Sequence, residues 1–466
     1  MANALLYELF NTFDKPALVR LGKLVRSPFF THRAEMARIV AFLAQCRYRG
    51  RPLPDKAELF KKAFPDRVYD DLLLRATLSD LRELMESFLI WQKMRTDKIA
   101  SQLVLASAFR ERNLDKLFLK TSQQLAAQLR DSPEKNADYL RQVLDYQLEI
   151  AHFQTRTVRT GDLHLQEIAH SLDTLYLAQK LRHACTQISH QAVFKADYDF
   201  GLLPNVLQAV EGSTYLQVPS IALYYYCYRF LTESYSLDFF QKFRAGLAEN
   251  GHFFPFSELK NLYLLAINFC IRQLNEGNEP FVREGWDLYR EGLDKGFLLE
   301  NGRLSGFTFN NVVAFGIKLK VFSAVEQFIK RYGECLEPGQ RESYVHFNYA
   351  RIEYSRRNFG VALLHLQKSD FKDLVNNLIA KTQLLKIYYE LGETSLLDSH
   401  LDSFRTFIRR SDVSDYHRKN FHNIVAFTKK LTMLEPGNAK AKAKLRTDIQ
   451  KTAVLSEKEW LLEKLG

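Results

Sequence analysis

The sequence contains little cysteine, proline or glycine for its length of 466 residues. Its 5 cysteines are scattered and form no CxxC pair, which excludes a disulfide-stabilised scaffold and indicates free thiols in a reducing cytoplasm. The 20 glycines and 12 prolines are too few for a collagen-like, low-complexity or mostly disordered chain. The length instead suits roughly two to four domains or one long repeat array.

Long apolar runs are also missing. The longest uncharged stretch, residues 212–228, contains Gly212, Pro219 and several hydroxyl side chains, so it is too short and too polar to span a membrane. At the N-terminus no basic segment precedes the apolar side chains, and Glu8 interrupts them, which argues against a secretory signal. We therefore expect a cytoplasmic protein with no membrane partner.

Most of the chain shows the period of an amphipathic helix. In residues 71–91, apolar side chains recur at steps of three and four with charges between them. Helix starts are predicted at Lys56, near Ser132–Pro133 and at Pro219. No segment of useful length alternates apolar and polar residues as a half-buried strand does. The pattern predicts an all-α chain whose helices pack as antiparallel neighbours joined by short turns.

A weak internal repeat appears in the last third of the chain. Residues 345–369 align with residues 380–404 at an offset of 35 residues. Each segment predicts a helix, a turn and a second helix, which opens at Phe359 in one unit and at Thr394 in the next. Similar places upstream are occupied by Phe322 and Phe281. The drifting period indicates degenerate helical hairpins rather than strict copies.

This pattern resembles the tetratricopeptide repeat superfamily, whose unit is a helix–turn–helix of about 34 residues. The positions that match the repeat are Ala350, Phe359, Ala362, Tyr388, Gly392 and Leu397. The tryptophan–leucine–glycine opening of the repeat and its closing proline are absent. The resemblance covers residues 260–430 and implies a right-handed α-solenoid that holds peptides or partner proteins in a concave groove.

The region before residue 100 differs from the rest of the chain. It is richer in basic residues and contains an irregular stretch at residues 27–31. We predict an N-terminal helical module at 1–93, a long-helix region that starts the solenoid at 94–255, tetratricopeptide-like helical hairpins at 256–434, and a basic helical tail at 435–466. The oligomeric state stays open.

The net charge of +11 is distributed unevenly. The excess of Lys and Arg over Asp and Glu is +6 in residues 1–100, −4 in residues 101–300 and +9 in residues 301–466. The candidate contacts to phosphate groups or to an acidic partner are Arg405, Arg409, Arg410, Arg418, Lys419, Lys429 and Lys430. The other interpretation, which we favour, is a set of solvated helix faces, because acidic residues are interleaved and no nucleic-acid motif accompanies them.

The N-terminal region has one further pattern of interest. The helices predicted at residues 56–63 and from Asp71 onward have the outline of a DNA-binding helix–turn–helix, in which the second helix enters the major groove. Arg75 and Arg82 are the basic residues of that second helix before Lys93, and acidic residues lie among them. A plain helical hairpin is the interpretation that we favour.

No arrangement of residues indicates catalysis or a bound cofactor. His164, Glu167 and His170 in HLQEIAH are three residues apart, which spreads them around a helix and differs from the HExxH zinc motif. The sequence has no GxSxG elbow, no GxxxxGK[ST] loop and no GxGxxG loop. We therefore predict no enzyme activity, no cofactor and no metal site.

Aromatic residues are the most distinctive part of the composition, with 35 Phe, 22 Tyr and 3 Trp. Four tyrosines crowd residues 224–228, and three phenylalanines flank Pro255. These rings either fill the core between stacked helices, which we favour, or line a peptide groove or a stacking platform for bases.

These patterns predict a scaffold without chemistry of its own, which binds a protein or peptide on the surface of a solenoid. The alternative is a nucleic-acid-associated regulator that grips phosphates with its basic N-terminal and C-terminal regions. The two differ in salt dependence, since binding to phosphates weakens steeply as salt rises.

Overall fold

The computed structural model describes residues 2–157, 162–194, 196–233, 237–371, 373–435 and 437–466. The chain divides into two compact units, residues 1–178 and residues 179–466. The described part is almost entirely α-helical, which confirms the predicted all-α class. None of its helices is both long and apolar enough to cross a membrane. The finer domain boundaries at 93, 255 and 434 stay predictions.

The described residues of the first unit form eight helices and the start of a ninth. They are α1 Ala2–Thr12, α2 Lys15–Leu24, α3 Ala34–Tyr48, α4 Lys56–Ala63, α5 Asp71–Thr96, α6 Lys98–Glu111, α7 Asp115–Arg130, α8 Ala137–Thr157 and α9 Leu165–Phe194, which runs on into the second unit. The starts of α4 and α5 confirm the predictions at Lys56 and Asp71.

The helices of the second unit form a longer series. They are α10 Leu203–Val210, α11 Pro219–Thr232, α12 Leu237–Asn250, α13 Phe256–Asn275, α14 Pro280–Asp294, α15 Gly306–Lys318, α16 Phe322–Tyr332, α17 Arg341–Ser355, α18 Phe359–Leu366, α19 Leu374–Leu391, α20 Thr394–Arg410, α21 Asp415–Thr432, α22 Ala439–Lys451 and α23 Lys458–Lys464. Short 3₁₀ turns occur at Thr214–Gln217, Gly251–Phe253 and Gly333–Cys335. The start of α11 confirms the prediction at Pro219.

Helices α1 to α5 enclose one continuous hydrophobic core. Its buried residues run from Leu6 to Phe88, and α2 contributes the inner face of its amphipathic stripe. The Asp14 carboxylate caps α2 by accepting a hydrogen bond from the Ala17 amide at 2.7 Å. Helices α6 to α8 have a much smaller core, centred on the rings of Phe118 and Phe153, which stack 4.3 Å apart.

The predicted helix start near Ser132–Pro133 is wrong. Helix α8 begins at Ala137, and the buried Asn136 side chain caps it by accepting a hydrogen bond from the Tyr139 amide at 3.1 Å. The Ser132 hydroxyl instead donates to the Glu134 carbonyl at 3.2 Å, which closes a turn. A buried amide cap therefore replaces the exposed hydroxyl cap that the sequence suggested.

One turn geometry recurs in the second unit, between α13 and α14, α15 and α16, α17 and α18, and α19 and α20. The left-handed residues of the four turns are Gly277, Lys320, Arg357 and Gly392. In each turn the following amide donates to the carbonyl five residues earlier, as Asn358 does to Glu353 at 2.8 Å. The second helix begins two or three residues later, which confirms the predicted starts at Phe359 and Thr394.

Two short strands were not predicted. Leu299–Glu300 (β1) pairs antiparallel with Arg303–Leu304 (β2). Asn301 and Gly302 connect the strands, and both have positive φ, 52° and 76°. An Asn-Gly pair favours this two-residue hairpin because both residues accept the left-handed conformation.

Small residues allow neighbouring helices of the second unit to approach closely. A Cβ atom at Gly316 of α15 would overlap a Val325 methyl group and the Trp286 ring, and one at Gly285 of α14 would overlap the Phe315 ring. The last helices share a separate core, into which α23 inserts Leu461. These contacts link consecutive hairpins within this unit.

Candidate functional site

The candidate site is a cavity of about 600 Å³ in the second unit, chosen for its aromatic and charged lining. Its walls come from the C-terminal ends of α15, α17 and α19, from the turns that follow α15 and α17, and from α23. The recurrent turn geometry brings the ends of these helices to one place. We call this space the turn cavity.

The floor of the turn cavity is aromatic. Tyr354 and Phe359 lie with their ring centroids 5.4 Å apart, and Phe322 and Trp460 also line the space. The Trp460 ring meets the Tyr389 ring edge-on at 5.5 Å and is almost completely buried. Aromatic floors of this kind supply most of the contact energy in pockets that bind peptides.

A half-buried carboxylate, Glu390, organises this floor. Glu390 accepts hydrogen bonds from the Tyr354 hydroxyl at 3.2 Å, from Trp460 Nε1 at 3.0 Å and from Lys464 Nζ at 2.9 Å. Burial opposes ionisation of Glu390, but the hydrogen bonds from Lys464 and Trp460 outweigh it and lower the pKa of this carboxyl. Burial and the neighbouring carboxylate together raise the pKa of Tyr354. At neutral pH Glu390 is therefore ionised and Tyr354 is neutral.

Lys386 joins α19 to the segment that precedes α23. Its ammonium donates to the Glu457 carboxylate at 2.8 Å and lies 4.9 Å from the centre of the Tyr354 ring and 5.6 Å from that of Trp460. Only 12% of the Lys386 side chain is exposed. A cation in this position strengthens both aromatic contacts and the ion pair, because little water surrounds it.

The rim of the turn cavity carries both signs of charge. Lys318 forms an ion pair with Glu459 at 3.2 Å, and Arg357 lies 3.9 Å from Glu463. These rim side chains are exposed, so their ion pairs add little to stability. The cations of these pairs come from the end of α15 and the turn after α17, and the carboxylates come from α23. A ligand that fits has an apolar anchor flanked by charged or polar groups.

The seven basic residues predicted as partner contacts lie elsewhere in the second unit. Helix α20 carries Arg405, Arg409 and Arg410, all exposed, and α21 carries the other four. They do not line the turn cavity. The structure places the set on two helices that pack against each other, α20 and α21.

Several of these cations already have local partners. Arg418 donates to the carbonyls of Ser411 and Val413 at 3.4 Å, Lys429 lies 3.9 Å from Asp402, and Lys430 lies over the Phe427 ring. Their role in binding stays a prediction.

The other residues singled out in the sequence do not converge. Across the described ranges, no group of three His, Cys, Asp or Glu side chains is placed to hold a metal ion. His164 lies 3.3 Å from Glu167 in a local contact at the start of α9. Cys270 is buried, and this burial raises the pKa of its thiol, which disfavours the reactive thiolate.

Sequence reasoning missed the turn cavity. One available signal was the rare tryptophan at position 460 inside a short charged segment. No sequence pattern indicated that α23 packs against residues far earlier in the chain, because this contact depends on the packing of several hairpins. No protein-family model matches this sequence, and a search of curated proteins found no similar one. The residues of the site therefore carry the functional argument alone.

Proposed function

We propose that the protein is a non-enzymatic cytoplasmic scaffold that binds a protein or peptide at the turn cavity. The observation that carries this proposal is the docking of α23. A helical segment of this chain already packs on the ends of α17 and α19 through Trp460, Glu457 and Lys464. A surface that accepts one helix through an aromatic anchor and ion pairs has the chemistry to bind another peptide beside it.

The repeated turns support a solenoid arrangement. Each hairpin buries only part of its apolar surface, so neighbouring hairpins must stack to complete the core. In the tetratricopeptide-like arrangement that we propose for residues 256–434, the first helices of successive hairpins form one wall of a groove. The turn cavity lies at the end of that wall, where an extended or helical peptide has access to several hairpins at once.

The test compares partners captured by the wild-type chain and by a rim variant. Lys320→Glu with Arg357→Glu reverses two exposed rim charges without touching the buried floor. Lys330→Glu with Lys444→Glu is the matched control, because these exposed lysines of α16 and α22 do not line the turn cavity. Tagged proteins are incubated with native lysate, with and without nuclease, and the captured proteins are quantified by mass spectrometry.

We expect a stoichiometric protein that survives nuclease, is retained by the control variant and is lost with the rim variant. Isothermal titration calorimetry with the purified partner should show at least a tenfold weaker affinity for the rim variant. Equal capture by both variants would show that the partner binds elsewhere. Loss of all partners on nuclease treatment would favour the nucleic-acid alternative.

A further inference from the structure

Helix α2 in the first unit presents a cationic face to solvent. Its inner residues are buried in the core of α1 to α5, while Lys15, Arg20 and Lys23 are exposed on the outside, and Arg26 follows directly. No acidic residue occurs between Asp14 and Glu35. This segment therefore carries positive charge alone.

Three of these cations lack an acidic partner. Within the described ranges, no carboxylate lies within 4.0 Å of the charged nitrogens of Arg20, Lys23 or Arg26. The contrast with α5 is clear, since Arg75 lies 2.5 Å from Asp71 and Arg82 lies 3.3 Å from Glu86. The structure thus pairs Arg75 and Arg82 of α5 with carboxylates and leaves Arg20, Lys23 and Arg26 available.

An exposed aromatic pair follows α2 immediately. Phe29 is 88% exposed and Phe30 is 43% exposed, and their rings meet edge-on with centroids 5.0 Å apart. Exposed apolar side chains that lie together in one patch are typical of interaction sites. The two rings begin three residues after Arg26, at the end of the cationic face.

The turn that presents these rings is fixed by hydrogen bonds on both sides. The Phe30 amide donates to the Ser27 carbonyl at 3.0 Å, and the Arg33 amide donates to the Thr31 hydroxyl at 3.1 Å. The Arg33 guanidinium bonds Glu35 and Asp80 and donates to the Thr77 hydroxyl. The backbone that carries the exposed rings is therefore fixed before any ligand arrives, which reduces the entropy lost on binding.

We propose that the outer face of α2 and the turn at residues 27–33 bind single-stranded nucleic acid. Arg20 and Lys23 lie three residues apart on the outer face of α2, and Arg26 follows the end of the helix, so the three cations lead up to the aromatic pair and contact phosphates of the strand. Phe29 stacks on an unpaired base, and Phe30 supports it from the side. Proteins that bind single-stranded nucleic acid combine cations along the phosphate backbone with aromatic rings on which bases stack. This inference does not depend on the turn cavity.

The neighbouring structure argues against a lipid surface as the ligand. An amphipathic helix binds a membrane by inserting its apolar face, but the apolar face of α2 is already buried in the core. Only the Phe29–Phe30 turn is free to insert. A membrane is therefore an outcome that the test must exclude, rather than the proposal.

The test measures fluorescence anisotropy of a labelled 15-nucleotide thymidine strand titrated with the full chain at several salt concentrations. A second probe is an abasic strand of the same length, which keeps the phosphates and lacks the bases. We expect binding at low salt that weakens as salt rises. Replacing Arg20, Lys23 and Arg26 by Gln should weaken binding at least tenfold and reduce the slope of log K against log salt by about 2, at roughly 0.7 per contact.

The aromatic contribution is tested separately. Phe29→Ser should weaken binding to the thymidine strand about tenfold and leave binding to the abasic strand unchanged. Val68→Ser is the matched control, because Val68 is 91% exposed in the same unit and lies outside the proposed surface. For the charge variant the control replaces Lys440, Lys444 and Lys451 by Gln on the exposed face of α22.

Four outcomes would overturn the proposal. They are no binding at 50 mM salt, equal weakening by a control variant, tighter binding to duplex than to single strands, and Phe29-dependent capture by phosphatidylserine vesicles. Thermal unfolding of each variant checks that the fold is intact. A ribonucleotide strand of the same length then identifies which single-stranded nucleic acid is preferred.

Discussion

The N-terminal core and the C-terminal hairpins solve the same packing problem in different ways. In α1 to α5, five helices with loops of unequal length enclose one closed core. In α13 to α20, one turn geometry joins the two helices of each of four hairpins, with Gly277, Lys320, Arg357 and Gly392 in the left-handed conformation. The same geometry occurs once in α1 to α5, at Gly50 after α3. The residue type at this position varies while its backbone conformation does not. Repetition in this chain is therefore a property of backbone geometry more than of sequence identity.

The largest expected effect is a difference in stability between variants that each lack one tryptophan, one in each region. Trp460→Ala should lower the free energy of unfolding by about 4 kcal/mol, because it empties a buried site and removes a donor from Glu390. Trp91→Ala in α5 is the counterpart and should cost about 1 kcal/mol, since Trp91 is 39% exposed. Urea denaturation monitored by circular dichroism measures both. Equal costs would show that α23 does not contribute to the hairpin core.

The second prediction uses one substitution with opposite signs in the two regions. Gly316→Ala should destabilise the protein by about 2 kcal/mol, because the new methyl group overlaps Val325 and Trp286. Gly22→Ala in α2 should stabilise it by about 0.5 kcal/mol, because nothing lies within 4 Å of the new Cβ and alanine favours the helix. Melting temperatures of the two variants should shift in opposite directions.

The third prediction concerns pH. The pKa of Glu390 is lowered in the folded chain, so its stabilising contribution is complete above the unfolded pKa and is lost as pH falls through the folded pKa. Glu390→Gln should cost about 1.5 kcal/mol at pH 7, and the cost should shrink as pH falls through the folded pKa, where the wild type loses the charge as well.

Glu35 in the first region is the comparison for this effect. Its pKa is also lowered, but Arg33 is its one side-chain donor among the described residues. Glu35→Gln should therefore show the same pH trend with a smaller amplitude. Unfolding measured between pH 3 and pH 7 tests both variants, and an unchanged pH slope for Glu390→Gln would contradict the assigned network.

The smallest expected effects test the recurrent turn. Gly392→Ala should cost about 1 kcal/mol, because a side chain disfavours the left-handed conformation. Lys320→Gly should stabilise the protein by up to about 1 kcal/mol for the converse reason. Gly339, which has no positive φ, gives the control substitution Gly339→Ala with little change. A destabilising Lys320→Gly would indicate that this lysine makes contacts worth more than the strain.

Local signals were sufficient to predict much of the helix pattern. Asp55 before Lys56 and Pro219 at the first position of α11 located two helix starts correctly, since caps and proline act within one turn. Asn301–Gly302 carried a readable hairpin signal that was overlooked. Asn136 carried a weaker one, because its capping role depends on burial that the sequence does not display.

The turn cavity was beyond local reasoning. Its aromatic residues were expected only as core, and its charged residues were not separated from the solvated majority. Conversely, the seven basic residues were chosen from charge alone, and some of them already contact carboxylates or backbone carbonyls of the same helices and their turns. A count of charges along a sequence does not show which cations share a helix face with carboxylates. The run from Lys15 to Arg26 is more informative, because it contains no acidic residue that could pair locally with its cations.

The docking of α23 also has a consequence for how the chain folds. Most contacts within a hairpin join residues a few tens of positions apart, whereas Lys318 and Glu459 are 141 positions apart and Glu390 and Trp460 are 70 apart. Closing such long loops is slow compared with forming local pairs. The hairpins can therefore form during synthesis while the turn cavity stays incomplete until α23 has left the ribosome. For that interval, the ends of α15, α17 and α19 are exposed to chaperones and to premature partners.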